Sequence, residues 1–267
     1  ATKRHLGYLE SKYNIKIITL KPDKSIGVTK KEFGVPFLSK NVSQNIERLA
    51  NKNFDFTTTK NYEELITTYP KIISAAQWWS NKKTNAGYST SMFDINYNLG
   101  LKEFLQAHPP EFKISSKCCH YLKKVIGKKF EKENNIDLKI TGVRKAEGGL
   151  RSKMYTSCFS PDKNGVMDNY RPIFFYTKQD KEEYNKYYNI KNSDCYTVYG
   201  MKRTGCCGCP FSKNFKAELD IVKEYEPRLY KACLNLFSDA YEYTQRYKTF
   251  KKAYSKRSSI TMTKPKK

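Results

Sequence analysis

The sequence has no apolar run of membrane-spanning length. Its opening, ATKRHLGYLESKY, has the features of neither a secretory signal nor a transit peptide. These absences argue against a spanning helix and set the expected location as cytoplasmic, with no membrane partner. No internal repeat is present, so a repeat array is not expected. Acidic residues are scarce: 26 Asp and Glu stand against 50 Lys and Arg, for a formal charge of +24. An excess of that size attracts polyanions such as DNA, RNA or a nucleotide with several phosphates. Part of it is solvated surface, because Lys-rich and Asn-rich usage runs through the whole chain. Cysteine is missing from the entire stretch before Cys118.

What is present suits a folded α/β protein. Apolar residues make up 39% and aromatics 14%, enough for a packed interior. Residues 2–13 read as a short amphipathic helix, and IKIITLKP, closed by Pro22, reads as a buried strand. Ser39 or Asn41 caps a helix reaching about Asn51. From about 54 to 112 the pattern is helical, and Trp78 and Trp79 are expected to pack in a core. Further on, KCCHYLKKVIGKKFEKEN reads as a helix, DLKITGVR as a strand, AEGGLRSKMY as helical and RPIFFYT as a strand. Thr177 and Asp180 have capping-box spacing. This alternation implies a parallel sheet covered by helices. Pro227 suits the first turn of a long final helix.

The eight cysteines are Cys118, Cys119, Cys158, Cys195, Cys206, Cys207, Cys209 and Cys233. In a cytoplasmic chain they argue for metal binding or redox chemistry rather than a disulfide framework. Cys206 and Cys209 have C-x-x-C spacing, in a loop shaped by Gly205, Gly208 and Pro210. Cys118 and Cys119 fall in the first turn of a helix that Ser115 or Ser116 can cap, where the dipole favours thiolate. Together they make a four-thiolate set, with Lys123 four residues after Cys119 to offset negative charge. Adjacent ligands suit separate irons of a cubane cluster better than a single zinc ion, so iron–sulfur leads and zinc is the rival. Buried free thiols are the remaining reading. Cys207 is expected to point away from the pair flanking it, and Cys158, Cys195 and Cys233 to be core residues. His120 is placed to ligate, being next to Cys119, but better suits a helix surface, and His5 and His108 have no evident partner.

Four stretches, KCCHYLKK, TGVRKAEGGLRS, RPIFFYTKQDKEEYNKYYNI and GMKRTGCCGCPF, together resemble the phosphoadenosine phosphosulfate reductase family, in particular its phage-type and uncharacterised bacterial branch. They lie in order over about 117–212. The opening HLGYLESKYNIKIITLKP is similar to a helix–strand unit earlier in that fold. The resemblance implies a 4Fe–4S cluster on Cys118, Cys119, Cys206 and Cys209, with Lys123 beside it. It also implies an α/β, Rossmann-like parallel sheet of the adenine-nucleotide α-hydrolase type. Arg144 and Arg151 are expected to bind sulfate or phosphate, with Glu147 orienting one of them. A surface salt-bridge cluster is the competing reading of these residues.

Three departures from the family qualify the match. Gly148 stands where the family has a serine. The N-terminal Ser-Gly-Gly-x-Asp-Ser phosphate loop is absent, so the fold is expected to be incomplete at its N-terminus. No Glu-Cys-Gly motif follows Cys233, and no catalytic nucleophile is identified. The expected organisation is an α/β domain over 1–212 with a helical insertion at about 40–112, a helical extension over 213–253 and a basic, flexible tail over 254–267.

The leading functional expectation is an oxidoreductase-family protein acting on an adenylyl or phosphosulfate nucleotide in sulfur metabolism. One alternative is an ATP-dependent sulfurtransferase thiolating nucleic acid, similar to DNA-phosphorothioation proteins. The other is a non-catalytic, metal-stabilised nucleic-acid-binding module. A reductant or sulfur-donor protein is a further expected partner of the enzyme readings. Residues 1–267 alone are expected to be inactive.

Overall fold

The computed structural model describes residues 1–83, 91–148, 154–162, 165–202 and 205–262, with side chains as far as Lys256 in the last segment. In chain order these form α1 (Thr2–Tyr13), α2 (Ile26–Phe33), α3 (Lys40–Ala50), α4 (Tyr62–Thr68), α5 (Ile73–Trp79), α6 (Leu101–Ala107), α7 (Lys117–Cys119), α8 (Ile126–Glu133), β1 (Leu138–Ile140), β2 (Phe159–Ser160), β3 (Asp168–Tyr170), α9 (Lys178–Tyr187), α10 (Asp194–Thr197), α11 (Phe215–Tyr225) and α12 (Pro227–Met262). The protein is mixed α/β, 56% helical with a small three-stranded sheet. It divides into two compact units: Ala1–Lys21 with Val125–Lys202, and Pro22–Lys124 with Arg203–Lys267.

The second unit holds most of the buried apolar residues, and its helices form for local reasons. In α3, Ser39 caps the first turn by accepting from the Val42 amide at 3.2 Å. Val42, Ile46 and Leu49 then recur on one face and are all buried. The capping box of α4 is Asn61 with Glu64. Trp78 and Trp79 of α5 are fully buried, and Phe54 and Phe56 meet Trp79 edge-on. Both tryptophans therefore serve packing, as their pairing in the sequence suggests.

Helix α12 closes this core with a row of tyrosines. Tyr243 and Tyr247 are buried against Phe37 and Phe104. Their hydroxyls donate to the carbonyls of His108 and Leu99, the latter at 3.0 Å. Burying a phenol is favourable only when its hydroxyl finds such a partner. Pro227 opens α12, as its fixed φ predicts. The helix runs on to Met262, past 254, where a flexible tail was expected to begin; residues 263–267 lie outside those described.

The first unit contains the sheet, ordered β1-β3-β2. β1 and β3 pair in parallel, with Leu138 opposite Asp168 and Ile140 opposite Tyr170. β2 pairs antiparallel to β3, with Phe159 opposite Tyr170. Two strand expectations are corrected. IKIITLKP has no strand partner among the described residues, and its Ile15, Ile18 and Leu20 are exposed. RPIFFYT forms turns rather than a strand, although its Phe174 is fully buried. Both runs have β-forming residues, but strands need backbone partners that a local pattern does not supply. Of AEGGLRSKMY, Lys145–Glu147 form a single 3₁₀ turn, and 149–153 lie outside the described residues. The capping box of α9 is as expected: Thr177 accepts from the Asp180 amide, and Asp180 accepts from the Thr177 amide.

Candidate metal centre

The cysteine pair of α7 is positioned by backbone contact. Val35 donates to the Lys113 carbonyl at 2.9 Å, and Ser115 donates back to the Val35 carbonyl at 2.9 Å. Gly34 permits this approach, because a Cβ there would lie 2.0 Å from the Lys113 oxygen, and its φ is +95°. Ser115 then accepts from the Lys117 amide at 3.3 Å, at the start of the turn that carries Cys118 and Cys119. A π-helical turn follows at His120–Val125. Its Tyr121 stacks on Phe33, ring centroids 4.6 Å apart, with the Lys24 ammonium over both rings. These contacts hold the pair in place from the α2 side.

The Cys-x-x-Cys loop is pinned from the other side by α12. Gly208 has φ +60°, and Tyr241 donates to its carbonyl. Cys209 donates its amide to the Cys206 carbonyl at 3.2 Å, closing the turn. Cys207 turns to Cys233 of α12, sulfur to sulfur 3.9 Å, and so points away from the flanking pair as expected.

Electrostatics tie the two segments together. Cys118 and Cys119 share a hydrogen bond that raises the Cys118 thiol and lowers that of Cys119. With Lys40, Lys123 and Lys124 nearby, the Cys119 thiol is held at about 6, against the opposing effect of its burial. Burial raises Cys209, which also feels Cys206 and Cys119. Lys123 is raised above its ordinary value first by a hydrogen bond to Cys206, then by the charges of Cys206, Cys119 and Cys209. Cys119, Cys206 and Cys209 thus all act on Lys123, and Cys118 feels Cys119 and Cys209. Among the described residues, however, no three His, Cys, Asp or Glu side chains form a metal-holding set. The thiols influence one another without forming a ligand shell. The donor chemistry, four sulfurs with one adjacent ammonium, suits a thiolate-bound centre.

Beside Cys119 and His120 lies a cavity of about 310 Å³, lined by Lys40, Arg48, Lys117 and Lys124 as well as Glu47. Burial raises the Glu47 carboxyl, against the pull of Lys117 and Arg48; Lys117 stands 3.9 Å away. The lining favours an anion. Lys40 and Arg48 escaped the sequence reading, because their role depends on α3 lying against the cysteine turn; only their spacing of two helical turns on α3 hinted at a shared face.

Of the residues expected to bind an anion, Arg144 and Glu147 belong to the first unit. Their nearest N–O distance is 4.0 Å, and Arg144 also donates to the Thr177 carbonyl at 3.0 Å. The hydrogen bond of Arg144 is thus to backbone, with Glu147 at ion-pair distance only, and Arg151 lies outside the described residues. Cys195 and Cys233 are buried, as expected of core residues, whereas Cys158 is only half-buried. His108 does acquire a partner, Arg246, at 3.3 Å. Among the described residues, no helix is long and apolar enough to cross a membrane. In comparisons with known proteins, no family model, curated sequence or solved structure matches the chain.

Proposed function

We propose that the chain is a phosphoadenosine phosphosulfate reductase-like protein that holds a 4Fe–4S cluster through Cys118, Cys119, Cys206 and Cys209 and acts on an adenylyl or phosphosulfate nucleotide. One observation carries the reading. Two cysteine pairs, with residues 120–205 between them in sequence, influence one another electrostatically: Cys119, Cys206 and Cys209 all act on Lys123, and Cys118 feels Cys209. When bound, the cluster would supply an iron–sulfide centre of net negative charge. Lys123 would offset that charge, and Cys119 is shifted toward the thiolate form that a metal requires, whereas Cys118 and Cys209 are raised. Arg144, bonded to the Thr177 carbonyl with Glu147 nearby, supplies a guanidinium suited to a phosphate or sulfate group, and Arg151 is assigned the same role. The parallel β1–β3 pair is in keeping with a Rossmann-like sheet of the adenine-nucleotide α-hydrolase type.

The basic cavity beside Cys119 and the charge of +24 favour a second reading, in which the acceptor is a nucleic acid and the chemistry is ATP-dependent sulfur transfer. A non-catalytic, metal-stabilised nucleic-acid binder would share the same surface. Metal analysis of protein purified without oxygen tests the shared premise. Iron with acid-labile sulfide is expected, whereas stoichiometric zinc without sulfide would remove the cluster assignment. Incubation with phosphosulfate nucleotide, and separately with ATP and DNA, then distinguishes reductase, sulfurtransferase and binder.

A further inference from the structure

We propose that Cys207 and Cys233 are an oxidation-sensitive dithiol, which a hydroperoxide closes to a disulfide that ties the Cys-x-x-Cys loop covalently to α12. The pair lies outside the four candidate ligands, and the inference does not depend on what those ligands hold. The two sulfurs are 3.9 Å apart, with the Cys233 thiol donating to Cys207. A disulfide needs about 2.05 Å, so closure is a movement of roughly 2 Å. The residues belong to separate elements, and their bridge escapes the strain that adjacent cysteines such as Cys118 and Cys119 would meet.

The surroundings hold the two thiols face to face. Gly208 lies so close to α12 that a Cβ on it would be 2.6 Å from the Cys233 sulfur. Tyr241 donates to the Gly208 carbonyl, and Phe215 stacks on the Tyr241 ring with centroids 5.0 Å apart. Exposure is unequal: Cys207 is half-buried, whereas Cys233 is only 4% exposed. A small oxidant therefore meets Cys207 first, and Cys233 is the resolving partner behind it.

The chemistry balances with hydrogen peroxide as the oxidant. The Cys207 sulfur attacks one peroxide oxygen, the O–O bond breaks, and one water leaves with a sulfenic acid on Cys207. The Cys233 sulfur then attacks the Cys207 sulfur, the S–O bond breaks, and a second water leaves. Two thiols and one peroxide give one disulfide and two waters, with two electrons passing from sulfur to oxygen.

The test uses the full chain purified without oxygen, one portion as isolated and one stripped with a chelator. Hydrogen peroxide is raised until Cys207 leaves the free-thiol pool. The remaining thiols are blocked with N-ethylmaleimide, and unreduced digests are sequenced by mass spectrometry. The expected product in both portions is a peptide pair joining Cys207 to Cys233, lighter by two hydrogens and returned to two free thiols by dithiothreitol. In Cys233→Ser, Cys207 should instead be captured as a sulfenic acid by dimedone. Loss of free Cys207 with Cys233 still fully blocked by maleimide in the wild-type protein, or Cys207 joined to Cys206 or Cys209, would overturn the proposal. The readout is bond pairing, so an absence of iron refutes the cluster reading and leaves this inference standing.

Discussion

Substituting Gly208 by alanine probes how the Cys-x-x-Cys loop is held. The residue has φ +60°, a left-handed conformation that costs an L-residue about 1–2 kcal/mol. The added Cβ would also stand 2.6 Å from the Cys233 sulfur, 2.8 Å from the Cys233 Cβ and 2.8 Å from the Tyr241 hydroxyl oxygen. The sulfur can rotate away, but the Cys233 Cβ is fixed to the helix backbone, so the loop must lift. Overpacking of this kind costs about 1–3 kcal/mol. The sum is roughly 2–5 kcal/mol, and at about 2–4 °C per kcal/mol for a unit of this size the midpoint should fall on the order of 10 °C. Gly205→Ala is the control, since nothing lies within 4 Å of its Cβ and its φ lies outside the left-handed range. Thermal and urea denaturation of both variants against wild type is the assay. Equal midpoints for Gly208→Ala and Gly205→Ala would refute the claim that α12 clamps this loop.

Cys206→Ser is expected to lose iron and sulfide while Cys207→Ser retains both, measured by metal analysis after anaerobic purification; equal loss from the two variants would break the ligand assignment. Gly34→Ala should leave the second unit insoluble or molten, because its Cβ would meet the Lys113 carbonyl oxygen at 2.0 Å, and a normal near-ultraviolet spectrum would contradict this. Trp79→Ala should cost about 3–5 kcal/mol. Trp79→Phe should cost less, because it keeps most of the buried ring surface and gives up only an indole N–H that is buried without a hydrogen-bond partner; chemical denaturation compares the two. Binding to single-stranded DNA should weaken steeply as salt rises. A Lys40→Gln, Lys124→Gln double variant should show a shallower slope in a salt titration, and an unchanged slope would remove the cavity from the interface.

The features legible in the sequence were those decided within a few residues along the chain. Ser39 and the Thr177–Asp180 box mark helix starts because a cap bonds a backbone amide in the first turn, wherever the helix then docks. Pro227 marks the start of α12 through its own fixed φ. The paired tryptophans declare a core because so large an apolar surface is costly to leave in water. The Cys-x-x-Cys spacing likewise names a candidate ligand pair without any knowledge of its surroundings.

Tertiary structure decided whatever needs a partner distant in the chain. IKIITLKP and RPIFFYT have the composition of strands, yet neither pairs as one among the described residues, because a strand exists only through hydrogen bonds to another segment. The short strand at Leu138–Ile140 forms because Asp168–Tyr170 lies alongside it in register. The positions of Cys118 and Cys119 and of the Cys206–Cys209 loop rest on Gly34 admitting the Lys113 backbone and on Tyr241 holding Gly208. The Cys207–Cys233 pair and the basic cavity under α3 arise in the same way. Residue type sets what these side chains can do, but which of them come within reach of one another is settled only when the helices pack.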